Sequence, residues 1–169
     1  MSKPFVPSFR HFQKDVERLL ESEGKREKNE HGQFVYRGYQ AAVEQMYRTY
    51  LEREAFGPLV AEYRTWNWEW NYGIDLEELT TRLREKGHWL LLKELWAAVV
   101  AKRRTNYNKT RKARKAVPDK VSEELVSRTR ELLLDSLHRL RGYASEFQKD
   151  SEVEAYVEML ARVEQRQTA

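Results

Sequence analysis

HWLLLKELWAAVVAKRRTNYNKTRKARK, residues 88–115, is the stretch on which the fold and the function of this chain turn. Its first half places Trp89, Leu92, Leu95, Trp96, Val99 and Val100 at the three- and four-residue spacing of a helix face, so a helix starts near His88 and buries one side. Its second half carries eight bases between Lys102 and Lys115 and no acid. Without that run, 23 bases face 27 acids in the remainder of the chain, so the formal charge of +4 comes from one segment. On a helical wheel, Arg103, Arg104, Tyr107, Arg111, Arg114 and Lys115 fall within an arc of about 120°, and Trp89, Trp96 and Val100 lie on the same arc further back. A buried arginine face is costly without partners. The helix is therefore expected either to run out beyond the core or to break near the weak helix formers Thr105-Asn106-Tyr107-Asn108.

The same periodicity extends outward in both directions. Phe9, Phe12, Val16, Leu19 and Leu20 predict a first helix capped by Ser8 and closed by Gly24. Residues 25–32 read as a charged connector, and a broad apolar arc from Val35 to Leu51 predicts a central helix from about Gln33 to Glu54. Pro58 suits the first turn of a third helix. Asp75 and Glu78 form an acidic variant of the capping box, with Ile74 and Leu79 as its staple, before a short helix that stops at Gly87. Asp119 is expected to cap a long helix reaching about Lys149, and Ser151 with Glu154 to start the last one. No stretch alternates convincingly enough for a sheet. The expected fold is all-α: a single compact bundle of about six to seven helices over residues 1–169, with a basic helix extension or loop at about 102–117.

Composition narrows the function. A mean hydropathy of −0.86 leaves no window for a membrane span, and the N-terminus lacks the apolar core of a secretory signal. The absence of cysteine removes disulfides and thiolate chemistry and fits an intracellular, cytoplasmic setting, with nuclear targeting by the basic run as an alternative. His11, His31, His88 and His138 lack paired metal spacing; Glu131, Asp135 and His138 share a helix stripe but do not supply the two Glu-x-x-His copies of a di-metal bundle. Neither metal nor cofactor is expected, and no phosphate loop or nucleophile elbow is present.

The basic segment points to nucleic acid. Arg103, Arg104, Arg111, Arg114 and Lys115 are the expected phosphate contacts, because a guanidinium fork donates paired hydrogen bonds. Lys102, Lys109 and Lys112 add to the field, and Tyr107 is placed to stack on an unpaired base. Engagement of five to eight such groups predicts a slope of log K against log salt of roughly −4 to −7. RNA or single-stranded DNA is favoured over specific duplex DNA, since no base-reading element stands out.

The run from Thr65 to Tyr72 carries an aromatic residue at every second position. Trp66, Trp68 and Trp70 are candidate partner-binding residues there, with Trp68 off the face of the other two. A helical adaptor docking an acidic protein surface is the alternative reading. In size and helical content the chain is similar in kind to the small helical subunits of ribonucleoprotein effector complexes, such as CRISPR complexes. Arg26 and His31 form an Arg-x4-His string that resembles the motif of the HEPN ribonucleases, although it lies in the connector rather than on a helix. That resemblance implies a third possibility, a helical ribonuclease toxin.

Overall fold

The computed structural model describes residues 4–65 and 75–166. Among these residues the protein is all-α, with seven helices and a single two-stranded ribbon. The elements are α1 (Phe12–Ser22), β1 (Arg26–Lys28), β2 (Phe34–Tyr36), α2 (Tyr39–Glu52), α3 (Phe56–Thr65), α4 (Leu76–Glu85), α5 (Trp89–Ala116), α6 (Glu123–Glu146) and α7 (Asp150–Gln165). They divide into two compact units, Met1–Gly87 and His88–Ala169.

In the first unit, α1 starts later than its apolar spacing suggests. His11 is the N-cap, with its ring nitrogen accepting from the Lys14 N–H. Phe9 has a positive φ of 56°, which a helix cannot contain. Ser8 is therefore not the cap. Its N–H and hydroxyl instead donate to the buried Asp15 carboxylate at 3.0 and 3.2 Å, and the Phe9 N–H adds a third bond at 3.0 Å. The Tyr50 hydroxyl from α2 donates to the same carboxylate. Burial pushes the Asp15 pKa up, but these donors outweigh it and hold the group below its ordinary value. Its contribution to stability is present above about pH 4 and is lost as the pH falls through the depressed pKa.

Around this anchor, Phe12, Val16, Leu19 and Leu20 of α1 meet α2 and α3, which bury Val43, Met46, Tyr50, Leu59 and Val60. Asp75 caps α4 as expected, its carboxylate accepting from the Glu78 N–H at 3.1 Å, but the capping box is half-formed, because the Glu78 carboxylate pairs with Arg48. The Tyr47 hydroxyl donates to the Asp75 carbonyl, tying α2 to the start of α4. Gly24 and Gly87 take the left-handed backbone that ends their helices, with φ of 67° and 70°.

Two expectations fail between α1 and α2. The charged connector is a β-hairpin, with Arg26 opposite Tyr36, Glu27 opposite Val35 and Lys28 opposite Phe34. Val35 and Tyr36 consequently belong to β2, and α2 begins at Tyr39 after Gly38. The turn accounts for this. Asn29 Oδ1 accepts from the His31 and Gln33 N–H groups, the Gly32 N–H returns to the Asn29 carbonyl, and Gly32 supplies a φ of 74°. Asn-Glu-His-Gly-Gln is thus a compact hairpin turn with its glycine in the left-handed position.

Glu62 on α3 is buried, and loss of water, reinforced by the Glu17 charge, raises its pKa from 4.5 to about 7. A raised carboxyl pKa means that the folded state holds its proton more tightly than the unfolded chain. Stability should therefore decline as the pH rises from 4.5 to about 7 and level off above. Glu62→Gln is expected to flatten that decline and to be more stable than the natural chain at pH 8 by roughly 2–3 kcal/mol. Denaturant titrations of both proteins across this range test it; parallel curves would remove Glu62 as the cause.

In the second unit, α5 and α6 form a long antiparallel helical hairpin, and α7 packs back on α6. The Lys93 ammonium meets the Glu152 carboxylate at 2.9 Å, joining α5 to the first turn of α7. Ser122, not Asp119, caps α6, its hydroxyl accepting from the Leu125 N–H at 3.1 Å. Helix α7 starts at Asp150, so Ser151 lies within its first turn rather than at the cap. It buries Leu160 and Val163 and leaves Val157 exposed. Among the described residues no helix is long and apolar enough to cross a membrane.

Candidate nucleic-acid interface

Contacts at four levels between α5 and α6, the last at the α6 C-cap Phe147, fix the register of the hairpin. The rings of Trp89 and Phe147 lie 5.6 Å apart, and those of Trp96 and Tyr143 5.7 Å apart. Arg103 Nη1 donates to the Leu132 carbonyl at 2.9 Å and approaches Asp135 at 3.4 Å. Arg114 Nη2 meets Glu123 at 3.2 Å. In every pair the two residue numbers add to between 235 and 239, so the helices stay in step from base to tip. At 1.5 Å per residue, the 28-residue α5 is about 42 Å long.

Helix α5 does not break at Thr105–Asn108. It continues as one helix to Ala116, and the seam facing α6 continues with it through Arg103, Tyr107 and Arg114. The basic arc is therefore split lengthwise. One edge turns inward, where Tyr107 is only 2% exposed. That burial withdraws Tyr107 as a stacking platform, because its ring presents no open face to a base. It serves α5 itself, with the Arg111 guanidinium 5.3 Å from the ring centroid. Arg103 and Arg114 are also committed inward. Arg114 Nη1 donates to the Pro118 carbonyl at 2.9 Å and to the Val121 carbonyl, so it closes the turn between the two helices. Both guanidinium groups are thus held toward α6 and the turn rather than toward the solvent edge of α5. Lys102 is half-buried, and desolvation lowers its pKa.

The other edge faces water. Arg104, Lys109, Lys112 and Lys115 are exposed, and their side chains make no ion pair or hydrogen bond with another described residue. Arg104, Arg111 and Lys115 sit within about 40° of one another on the helix wheel, with Lys112 beside them and Lys109 further round. This stripe spans about 16 Å along the axis, the length of roughly five phosphates of one strand at duplex spacing. Residues 102–130, which form the outer part of the hairpin, hold eleven bases and three acids.

Trp66, Trp68 and Trp70, with the adjoining Gly73 and Ile74, lie outside the described residues. Arg26 sits on β1 and His31 in the hairpin turn, where the His31 N–H is bonded to Asn29 at 3.0 Å. Among the described residues no group of three or more His, Cys, Asp or Glu side chains could hold a metal ion. Comparison with protein-family models, curated proteins and solved structures finds no match for this chain.

The division between Arg103/Arg114 and Arg104/Lys115 predicts different phenotypes. Arg114→Ala is expected to cost stability, about 1–2 kcal/mol for its lost bonds to the turn, while affinity for a polyanion changes less than threefold. Thermal unfolding and a binding titration on one preparation check this; a large loss of binding at unchanged stability would return Arg114 to the contact surface.

Proposed function

We propose that this protein is a non-catalytic, helical nucleic-acid-binding protein that grips the phosphate backbone with the outer edge of α5. The contacts are Arg104, Arg111, Lys112 and Lys115, with Lys109 and Lys102 adding to the field. The observation that carries the reading is the stripe of Arg104, Arg111, Lys112 and Lys115, which meets no carboxylate among the described residues, on a helical hairpin whose outer part is strongly positive in net charge. Guanidinium and ammonium groups so placed bind a polyanion by releasing its counterions. With no base-reading element on the stripe, discrimination between sequences is weak. Such a protein suits the role of a small helical subunit in a ribonucleoprotein effector complex, holding RNA or single-stranded DNA that other subunits select.

The test is a mobility-shift series with single- and double-stranded RNA and DNA at several salt concentrations. Binding that weakens steeply with salt and varies little with sequence supports the reading. Salt-independent binding, or none, removes it.

The adaptor alternative draws on a different observation. Leu125 and Leu132 are seven residues apart on the same face of α6, and both are exposed. In that reading the hairpin docks an acidic protein through its charge and rests these leucines against it, and capture of the partner survives nuclease treatment.

A further inference from the structure

The hairpin of the first unit has two unlike faces. Paired residues share a face, so Arg26, Lys28, Phe34 and Tyr36 lie on one side and Glu27 and Val35 on the other. On the first side the Arg26 guanidinium lies 3.9 Å from the Phe34 ring centroid, and the Lys28 ammonium lies 5.2 Å from it. Phe34 is nevertheless 56% exposed. Tyr36 is anchored at the inner end, its hydroxyl donating to Glu21 at 3.0 Å, and Glu21 also reaches Arg26 at a loose 3.9 Å. Toward the turn, Lys28 meets no carboxylate among the described residues. A large aromatic ring is thus held in water on a two-stranded ribbon, with a planar cation against it and a second cation beside it.

We propose that this face is a stacking site for unpaired bases of a single-stranded nucleic acid. Phe34 and the guanidinium plane of Arg26 take the base, and Lys28 takes a neighbouring phosphate. The inference rests on the nucleic-acid reading and adds a base-contacting element to it, in place of the buried Tyr107. The occupant follows from the chemistry of the face. Two cations favour a polyanion, an exposed ring and guanidinium favour a flat π-surface, and a single strand offers both at adjacent positions. A duplex offers the phosphates but hides its base faces in its own stack.

The test compares oligothymidine with an abasic oligomer of equal length, using the full-length protein and fluorescence anisotropy at low salt. The natural protein is expected to prefer the base-bearing strand by roughly tenfold. Phe34→Ala should erase the preference while leaving abasic binding unchanged, and Phe34→Trp should keep it. Because Phe34 lies on the surface, its variants should melt with the natural chain. Glutamate substitutions at Arg104 and Lys115 should weaken both oligomers equally. If Phe34→Ala retains the preference, or the natural protein shows none, the stacking site is overturned and backbone binding by α5 stands. If the natural protein binds neither strand, the nucleic-acid reading falls and this inference falls with it.

Discussion

Replacing Arg104, Arg111, Lys112 and Lys115 together by glutamate is expected to abolish nucleic-acid binding without unfolding the protein. The four side chains lie on the solvent edge of α5, and the α5–α6 seam is made by other residues, so the fold loses little. Among the described residues, the Arg111 contact with Tyr107 is the side-chain interaction removed, at a cost of about 0.5–1 kcal/mol. Binding loses four attractions and gains four repulsions. For the natural protein, four to five engaged cations give a slope of log K against log salt of about −3 to −4, shallower than a count of every base in the segment suggests, because Arg103 and Arg114 are spent inside the hairpin. A slope near −3 means roughly a 60-fold loss of affinity between 50 and 200 mM salt. The quadruple variant should show no saturable binding at the lower salt and an unchanged circular dichroism spectrum. Retained binding by a folded variant would show that nucleic acid is held elsewhere.

Trp96→Ala should give the largest loss of stability in the second unit. Trp96 is fully buried, its ring carries the Arg139 guanidinium 4.0 Å above it, and Tyr143 meets it edge-on. Arg139 is itself aimed by two bonds to the Tyr143 hydroxyl, at 3.1 and 2.7 Å. Removing the indole opens a cavity and takes the ring from beneath a partly desolvated cation. A loss of about 4 kcal/mol is expected, a large share of the 5–15 kcal/mol that domains typically have in hand. The urea midpoint should fall by roughly 2 M at an unchanged slope. Trp96→Phe, which keeps a ring under Arg139, should cost about half as much. A fall of less than 1 kcal/mol for the alanine variant would mean that the hairpin register is held chiefly at its other contacts.

The helices were legible because their signals are local. Asp75 with Glu78, the glycines at positions 24 and 87, and the apolar spacing from Trp89 to Val100 each act within a turn or two of the chain, and the structure has them where they were expected. The β-hairpin was harder to read because its strands are three residues long, β1 wholly charged and β2 wholly aromatic or aliphatic, so neither shows hydrophobic alternation. Its signal is the turn: an Asn that can receive two backbone N–H groups, followed by a Gly in the left-handed position. Ser8 misled for a related reason. A serine before an apolar run looks like a cap, but here a carboxylate seven residues on competes for its hydroxyl, and sequence alone does not reveal that competition.

The basic segment was legible as charge and not as geometry. Its composition marks a positive region, yet the wheel position of each residue settles which cations meet water. The clue lay in the arc shared by Trp89, Trp96 and Val100. Continued in the same phase, it passes through Arg103, Tyr107 and Arg114, the three residues that turn inward. The remaining cations follow by subtraction.

The hairpin register also decides where this chain can change length. One residue inserted in the α5–α6 turn, between Val117 and Val121, leaves both helices in phase. The same insertion next to Ala101 rotates everything downstream by about 100°. Tyr107 would then swing out of the seam and a neighbouring polar or charged side chain would swing in. Variation in this protein's length is therefore tolerable at the end of the hairpin and disruptive along its shaft, where a frame of seven and eleven residues keeps grease on one side and charge on the other.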